Sequence, residues 1–187
     1  GQGAEGADGD AAVDVEGLAG DVGAGVAGEE NEGAVEVAGG ALRLGDLLLD
    51  LGSIDRIAVV GGGKAAAGMA TALEQALGPQ LLRDKRVAGW VNVPADCVRS
   101  TDVITLHPGR AAGMNEPSEA GVAGVGHMLR LVASLGPRDL CVCVISGGAS
   151  ALLPAPIEGL SLEDKVAITR EMSARGATIE QMNLVRR

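Results

Sequence analysis

The sequence predicts an α/β protein built on a Rossmann-like parallel sheet with helices on both faces. Three observations support this fold class. Short apolar runs typical of buried strands alternate with stretches in which apolar residues recur at helical spacing. Two of these runs end in glycine-rich turns, which begin at Gly61 and Ser146. The chain has one Trp and no Phe or Tyr, so its core must be aliphatic, which suits helices packed closely on a parallel sheet.

The first 40 residues differ in composition from the rest of the chain. They are rich in Gly, Ala, Asp and Glu and contain no Lys or Arg. Ten of the 25 acidic residues lie here, so the net charge of −10 belongs to this segment and residues 41–187 are balanced. Scattered valines cannot bury enough apolar surface to offset the entropy of ordering, which predicts that residues 1–40 are disordered. The alternative is a short hairpin over 34–44.

The first elements of the folded part, residues 41–187, come in the order strand, helix, strand. A continuous apolar run predicts a buried strand over 57–60, which ends in three glycines. Apolar residues then recur at three- and four-residue spacing, which predicts a helix over 64–77 that Gly78 and Pro79 end. Two further strands are predicted over 87–93 and 103–106.

The later elements begin with capping signals. A capping residue, an acid and an early proline at 115–118 predict a helix that reaches about residue 134. Its apolar face consists of Val122, Val125, Leu129 and Val132. An apolar strand over 140–145 follows, and capping-box patterns at 161–164 and 178–181 predict two more helices. The last helix is unfinished at residue 187, which predicts that the chain is truncated.

Composition also excludes several classes of protein. Cys97, Cys141 and Cys143 do not form a disulfide framework, which favours reduced, buried cysteines in the cytosol. No apolar run approaches the roughly 20 residues that a membrane helix needs, and no signal peptide is visible. There is no basic stripe with stacking aromatics for nucleic acid, and no spacing of ligands for a metal. We therefore predict a cytoplasmic protein without a membrane or nucleic-acid partner.

The first candidate site is the turn Gly61, Gly62 and Gly63 with Lys64. Ligands of open α/β sheets bind at the carboxyl ends of strands, and glycines let the backbone approach them closely. Lys64 and the helix N-terminus would add positive charge, which fits a phosphate. The alternative is a plain turn with a solvated lysine.

Two known loop patterns can be compared with this turn. A Walker A loop requires Gly and Ser or Thr where the chain has Ala58 and Ala65, so that loop is excluded. The dinucleotide pattern G-x-G-x-x-G/A fits Gly61, Gly63 and Ala66, but no acid follows the next strand to bind a ribose. The match to a dinucleotide loop is therefore weak.

The second candidate site is the turn Ser146, Gly147 and Gly148 with Ser150. Its hydroxyls and backbone N–H groups could hold a carboxylate or a phosphate. The pattern G-x-S-x-G of a nucleophile elbow fails at Leu152, which disfavours a serine hydrolase. His107, just after a predicted strand, could face the same cleft, with a purely structural role as the alternative.

The segments 59–70 and 146–156 resemble the two signatures of glycerate kinases of the two-domain MOFRL type. Segments 159–165 and 183–187 continue the resemblance in order and spacing, so it covers about residues 42–187. The resemblance implies an enzyme that transfers the γ-phosphoryl group of MgATP to D-glycerate and gives 2-phosphoglycerate. ATP and Mg²⁺ are then its cofactors, glycerate and nucleotide its small-molecule partners, and a homodimer its candidate assembly. The resemblance also implies that residues 41–187 are an N-terminal α/β domain truncated before a second domain, so the chain is expected to be inactive as a fragment.

The resemblance also assigns residues to the site. Lys64 corresponds to a lysine of the family's catalytic site, and Arg186 matches an arginine near the same cleft. Ala149 stands where the family usually has Gly, which would strain the loop if that position required a positive φ. The predicted substrate- or phosphate-binding residues are Gly61, Gly62, Gly63, Ser146, Gly147, Gly148, Ser150, His107 and Asn183.

Two other functions remain open from the sequence. One is a hydroxypyruvate reductase with a nicotinamide cofactor, which the partial dinucleotide pattern favours and the missing acid opposes. The other is a non-catalytic anion-binding remnant that keeps the fold without the activity.

Overall fold

A computed structural model of the protein describes residues 12–14, 35–44, 47–157 and 159–186. The strands among them are β1 (Ala12–Asp14), β2 (Val35–Ala38), β3 (Ala41–Leu44), β4 (Leu47–Asp50), β5 (Arg56–Gly62), β6 (Ala88–Pro94), β7 (Ile104–Arg110) and β8 (Asp139–Ile145). The helices are α1 (Ala66–Asp84), α2 (Glu119–Ala133), α3 (Ala149–Leu152), α4 (Leu162–Ala174) and α5 (Ile179–Arg186).

The main sheet is parallel and has the strand order β1-β8-β5-β6-β7. A separate antiparallel sheet has the order β2-β3-β4. In the main sheet, β6 and β7 extend from one side of β5, whereas β8 pairs with its other side. The strand order therefore reverses between β5 and β8, and sheets of this kind bind ligands at such a reversal point, beyond the carboxyl ends of the strands.

Alternation along β6 assigns the two large helices to opposite faces of the sheet. Val91 and Val93 are fully buried in the core cluster that contains the apolar residues of α1. The next residue on the other face, Asn92, donates a hydrogen bond from Nδ2 to the Gly121 carbonyl of α2. Trp90 shares that face and stacks on His127 of α2. The predicted fold class, a parallel sheet with helices on both faces, is confirmed.

The main core lies between the sheet, α1 and the small sheet, and it is aliphatic as predicted. Among its largest fully buried side chains are Leu42, Ile57, Met69, Leu73 and Leu140. Val35 and Val37 of β2 pack partly against this cluster. The hairpin considered as the alternative over 34–44 is therefore present as β2 and β3. The disorder predicted over residues 1–40 is wrong for β1 and for residues 35–40, and elsewhere it concerns residues outside the described ranges.

Two boundaries differ from the sequence prediction. Gly78 has a φ of 69° and breaks the helical geometry where the helix was predicted to end, but the chain resumes as a helix after Pro79 and reaches Asp84. Strand β7 continues to Arg110 rather than ending at residue 106, so His107 lies within a strand and not after it. No helix among the described residues is long and apolar enough to cross a lipid bilayer.

The buried face of α2 also differs from the predicted one. Gly121, Gly124 and Met128 are buried, whereas Leu129 is 61% exposed and Val132 is 39% exposed. The reason is the close approach of β6, because a Cβ added to Gly124 would lie 2.0 Å from Oδ1 of Asn92. The helix therefore packs through its glycines rather than through its valine and leucine stripe.

Candidate functional site

The two glycine-rich turns are joined by hydrogen bonds into one unit. The backbone N–H of Lys64 donates to the Gly147 carbonyl at 3.0 Å, and the N–H of Ala65 donates to Oγ of Ser146 at 3.0 Å. In the other direction, the N–H of Ser146 donates to the Gly62 carbonyl at 3.2 Å. The carboxyl ends of β5 and β8 and the start of α1 therefore form a single crevice floor at the reversal point of the sheet.

The glycines of the first turn are required by the packing of β5 against β8. Gly61 has a φ of 141°, and a Cβ there would lie 2.0 Å from the Val144 carbonyl oxygen. Gly63 has a φ of 145°, and its Cβ would lie 2.1 Å from Oγ of Ser146. Neither position could carry a side chain without moving β8 or the turn that follows it. Close strand packing thus explains these two glycines independently of any ligand.

In the second turn, the positive φ falls on Gly148, which has a φ of 88°. Ala149 is the first residue of α3 and is not among the described residues with a positive φ. The strain considered for an alanine at that position therefore does not arise. Gly147 and Ser150 are exposed, whereas Ser146 is 5% exposed and bonded to Ala65.

Two cationic side chains converge on the second turn. The side chain of Lys64 precedes α1, and a Cβ built on Gly148 would lie 3.8 Å from Cγ and 3.9 Å from Cε of that lysine. The same Cβ would lie 3.6 Å from Nη2 of Arg110, at the carboxyl end of β7. Lys64 is exposed, and Arg110 is only 5% exposed. Sequence reasoning missed Arg110, whose only signal was a basic residue shortly after a predicted strand.

His107 is held by β6 and α2. Its Nε2 is hydrogen-bonded to the Ala120 carbonyl at 2.9 Å, and its ring centroid lies 5.2 Å from that of Trp90. The exposed His127 of α2 stacks on the same Trp90, with 4.1 Å between the two ring centroids. These contacts are sufficient to explain His107 structurally, and its contact with a ligand stays a prediction.

Asn92 is a second residue that sequence reasoning did not identify as important. It is fully buried, and its Nδ2 donates to the carbonyls of Gly121 at 3.0 Å and Leu152 at 2.7 Å. Its own backbone carbonyl accepts the N–H of Gly63 at 3.2 Å. Asn92 therefore ties α2 and α3 to the crevice floor, and no signal in the local sequence pattern revealed this role.

Asn183 and Arg186 belong to α5. Their side chains lie outside what the structure describes, so their predicted roles stay predictions.

Helix α4 is connected to the segment before α2 by Arg170, which donates to the carboxylate of Glu116 at 3.0 and 2.7 Å. This hydrogen bonding to Arg170 lowers the pKa of Glu116 below its ordinary value.

An ion pair fixes the opposite ends of the two strands that carry the turns. Arg56 at the start of β5 donates to Oδ2 of Asp139 at the start of β8, with distances of 3.2 Å from Nε and 2.9 Å from Nη2. The backbone N–H of Gly136 also donates to this oxygen at 2.9 Å. The pKa of Asp139 is lowered, first by the Gly136 hydrogen bond and then by Arg56, against the opposing effect of burial. Both partners hold the register on which the crevice depends.

Together, the fold and the crevice define a Rossmann-like α/β protein with a cationic, glycine-lined site at the reversal point of its sheet. Such a site is suited to a carboxylate or a phosphate. Residues 27–187 match the family described as a domain of unknown function, DUF4147. The chain belongs to this family, the N-terminal domain of MOFRL-type glycerate kinases.

Curated relatives support the same assignment. The chain is 37% identical to a glycerate kinase of Danio rerio over 69% of this chain and 27% of that protein. It is 36% identical to a glycerate kinase of Homo sapiens over 69% of this chain and 26% of that protein. A putative hydroxypyruvate reductase of Agrobacterium vitis is 36% identical over 71% of this chain and 32% of its own length.

Two solved structures are similar to this chain. A glycerate kinase of Thermotoga maritima has a TM-score of 0.59 and 32% identity, covering 70% of this chain and 30% of that one. The PH0495 protein of Pyrococcus horikoshii has a TM-score of 0.68 and 27% identity, covering 80% of this chain and 32% of that one. The chain therefore spans about a third or less of the length of these relatives.

Proposed function

We propose that this chain supplies the phosphate-positioning part of a glycerate kinase, which transfers the γ-phosphoryl group of MgATP to D-glycerate and gives 2-phosphoglycerate. The observation that carries the proposal is the joining of the two turns, which brings Lys64 and the N-terminus of α1 to the reversal point of the sheet. The glycerate kinases among the relatives support the choice of this reaction.

The residues of the crevice fit an anion with several oxygens. Lys64 offers a mobile ammonium group, and the first N–H groups of α1 have no partner within the helix. Oγ of Ser146 accepts a hydrogen bond from the backbone N–H of Ala65 and so fixes the direction in which the N-terminus of α1 points. Phosphoryl transfer needs positioning and charge stabilisation more than covalent chemistry, and these groups can provide both.

The cofactors themselves are part of the proposal. Bound MgATP would supply the phosphoryl group that the hydroxyl of glycerate accepts, with ADP as the leaving group and a proton released. In this step, Lys64 would stabilise the negative charge that spreads over the transferred oxygens. The described residues contain no group of three His, Cys, Asp or Glu able to hold a metal ion, so we assign no residue to Mg²⁺.

A hydroxypyruvate reductase is the second candidate function, because a relative from Agrobacterium vitis bears that name. A nicotinamide dinucleotide in a Rossmann-like site usually needs a side chain after the second strand to hold its ribose. The polar residue near the end of β6 is Asn92, which is fully buried and donates to the Gly121 and Leu152 carbonyls. Its engagement within the protein counts against this candidate.

The test is a chimera in which this chain replaces the matching segment of the Thermotoga maritima glycerate kinase. It would be assayed with MgATP and D-glycerate, with phosphorus NMR to identify 2-phosphoglycerate, and separately with NADH and hydroxypyruvate. The chain alone would be assayed in parallel. Lys64→Ala should lower kcat about 100-fold or more without changing the melting temperature. Arg83→Ala, which removes an exposed cation near the other end of α1, is the matched control.

Three results would contradict the proposal. NADH oxidation without phosphoryl transfer would favour the reductase. A folded chimera that binds anions but performs neither reaction would favour a non-catalytic anion-binding module. Unchanged turnover in the Lys64→Ala chimera would remove Lys64 from the mechanism.

A further inference from the structure

Arg110 is a buried cation without a partner among the described residues. It is 5% exposed, and its Nε is fully buried and makes no hydrogen bond. The side chain of Arg110 takes part in neither an ion pair nor a hydrogen bond within the part of the chain that the structure describes. An uncompensated buried charge is strongly unfavourable, so a guanidinium in such a position is expected to serve an anion that binds there.

The guanidinium points into the crevice beside Lys64. A Cβ built on Gly148 would be in van der Waals contact with both cationic side chains, at 3.6 Å from Nη2 of Arg110 and 3.8 Å from Cγ of Lys64. Because Gly148 has no side chain, a small space stays open between Arg110 and Lys64, and any larger residue at this position would fill it. The φ of 88° at Gly148 suits glycine as well, so the backbone and the open space impose the same choice.

The backbone holds Arg110 in this direction through two local features. A bulge at Val93 and Pro94 shifts the register of β6 and β7, so that Arg110 rather than Gly109 pairs with Pro94. Bulges of this kind redirect a side chain at the edge of a site. The preceding carbonyl, that of Gly109, accepts a hydrogen bond from Oγ of Ser118, the N-cap of α2. The end of β7 is thus fixed on both sides.

We propose that Arg110 binds the carboxylate of the acceptor, a small hydroxy acid, while Lys64 serves the phosphate. This inference rests on the proposed function and names the substrate group at one side of the crevice. A planar guanidinium matches a carboxylate with two parallel hydrogen bonds, whereas an ammonium acts as a mobile point charge. The buried position suits the small acid, and the exposed Lys64 at the start of α1 suits a phosphate that arrives on a larger molecule. The arrangement would select hydroxy acids over uncharged polyols.

The experiment is isothermal titration of the full chain with D-glycerate, glycerol and inorganic phosphate. Wild type should bind glycerate and phosphate but not glycerol. Arg110→Gln should weaken glycerate binding about tenfold or more and leave phosphate binding roughly unchanged. Arg110→Lys should bind glycerate with intermediate affinity, because lysine keeps the positive charge but cannot donate two parallel hydrogen bonds to the carboxylate. Arg99→Gln, in an exposed segment, is the matched control and should behave as wild type.

A melting curve separates binding from a structural role. Removing an unpaired buried charge should leave the melting temperature of Arg110→Gln equal to or above that of wild type. A lower melting temperature, or a chain that fails to fold, would instead indicate a structural role for Arg110. Arg110→Lys, which keeps the charge, would then decide the proposal, and a glycerate affinity equal to that of wild type in this variant would overturn it.

Other outcomes would also overturn the inference. These are a wild type that does not bind glycerate, an Arg110→Gln variant that binds it normally, and a variant that loses phosphate instead of glycerate, which would make Arg110 a phosphate ligand. Because titration records binding and not turnover, the two proposals can fail separately. A chain that binds glycerate through Arg110 while the chimera forms no 2-phosphoglycerate would overturn only the proposed function.

Discussion

Oγ of Ser146, at the end of β8, accepts a hydrogen bond at 3.0 Å from the backbone N–H of Ala65, at the start of α1. The two residues are 81 positions apart, so this contact joins the two turns that the sequence suggested separately. It satisfies an N–H that a helix start would otherwise leave open. It also sets the direction in which α1 presents its positive end to the crevice.

Replacing Ser146 by Ala should therefore destabilise the protein by about 1–2 kcal/mol, because a partly buried N–H loses its acceptor. Urea denaturation would measure this loss, and hydrogen exchange of the Ala65 amide should become faster. Ser100→Ala, in an exposed segment, is the control and should change the stability by less than about 0.5 kcal/mol. Equal stabilities of the two variants would show that this hydrogen bond does not contribute to the free energy of unfolding.

Substitution of glycine by alanine should change the stability in opposite directions in the first turn and in α2. Gly61→Ala and Gly63→Ala should each destabilise by about 3 kcal/mol or more, since both residues have positive φ and their Cβ atoms would meet oxygens of Val144 and Ser146, at and just after the end of β8. Gly126→Ala in α2 should instead stabilise by about 0.5–1 kcal/mol, because its nearest neighbour is the end of the Arg130 side chain at 3.5 Å. Thermal and urea unfolding would measure all three. Mild effects at Gly61 and Gly63 would mean that β5 and β8 are not packed this closely.

Strands β5, β6 and β8 and both turns could be predicted from the sequence because their signals are local, whereas β1 and β4 were not predicted. A continuous apolar run followed by glycines encodes a buried strand and its turn, and Gly78 with Pro79 encodes the break in α1. The position of the site followed from the same signals, since parallel strands bring their carboxyl ends to one edge of the sheet.

Arg110 and the buried face of α2 could not be predicted, because both depend on contacts between distant residues. The bulge opposite Pro94 interrupts the alternation of β7, so the direction of Arg110 cannot be counted from the preceding residues. The valine and leucine stripe of α2 predicted the wrong face because Asn92 of β6 fits only against a glycine such as Gly124. Hydrophobic spacing alone carries no information about such a partner.

A pair of deletions tests whether β2 belongs to the folded core. Val35 and Val37 pack partly against the core, and β2 pairs with β3 along its four residues. A chain that begins at residue 41 should melt about 4–8 °C below one that begins at residue 35, because it loses about 2 kcal/mol of apolar burial. The chain that begins at residue 35 is the control for the loss of the acidic residues 1–34. Equal melting temperatures would show that the folded core does not need β2.

The ion pair of Arg56 and Asp139 predicts a specific dependence of stability on pH. Hydrogen bonds from Gly136 and then Arg56 lower the pKa of Asp139 below its ordinary value of 3.8. The folded state therefore binds this proton less readily than the unfolded state. The resulting stabilisation is fully present above the unfolded pKa and is lost as the pH falls toward the folded pKa.

Asp139→Asn should accordingly lower the free energy of unfolding at pH 7 by about 1–3 kcal/mol, because Arg56 loses its charged partner. The difference between wild type and variant should shrink as the pH falls below about 4, where the wild-type carboxyl begins to take up its proton. Urea unfolding at a series of pH values would measure both effects, with the exposed Asp96→Asn as the control. A difference that stays constant from pH 7 to pH 3 would show that the charge of Asp139 does not hold β5 and β8 in register, and the effect of Asn would then be one of packing alone.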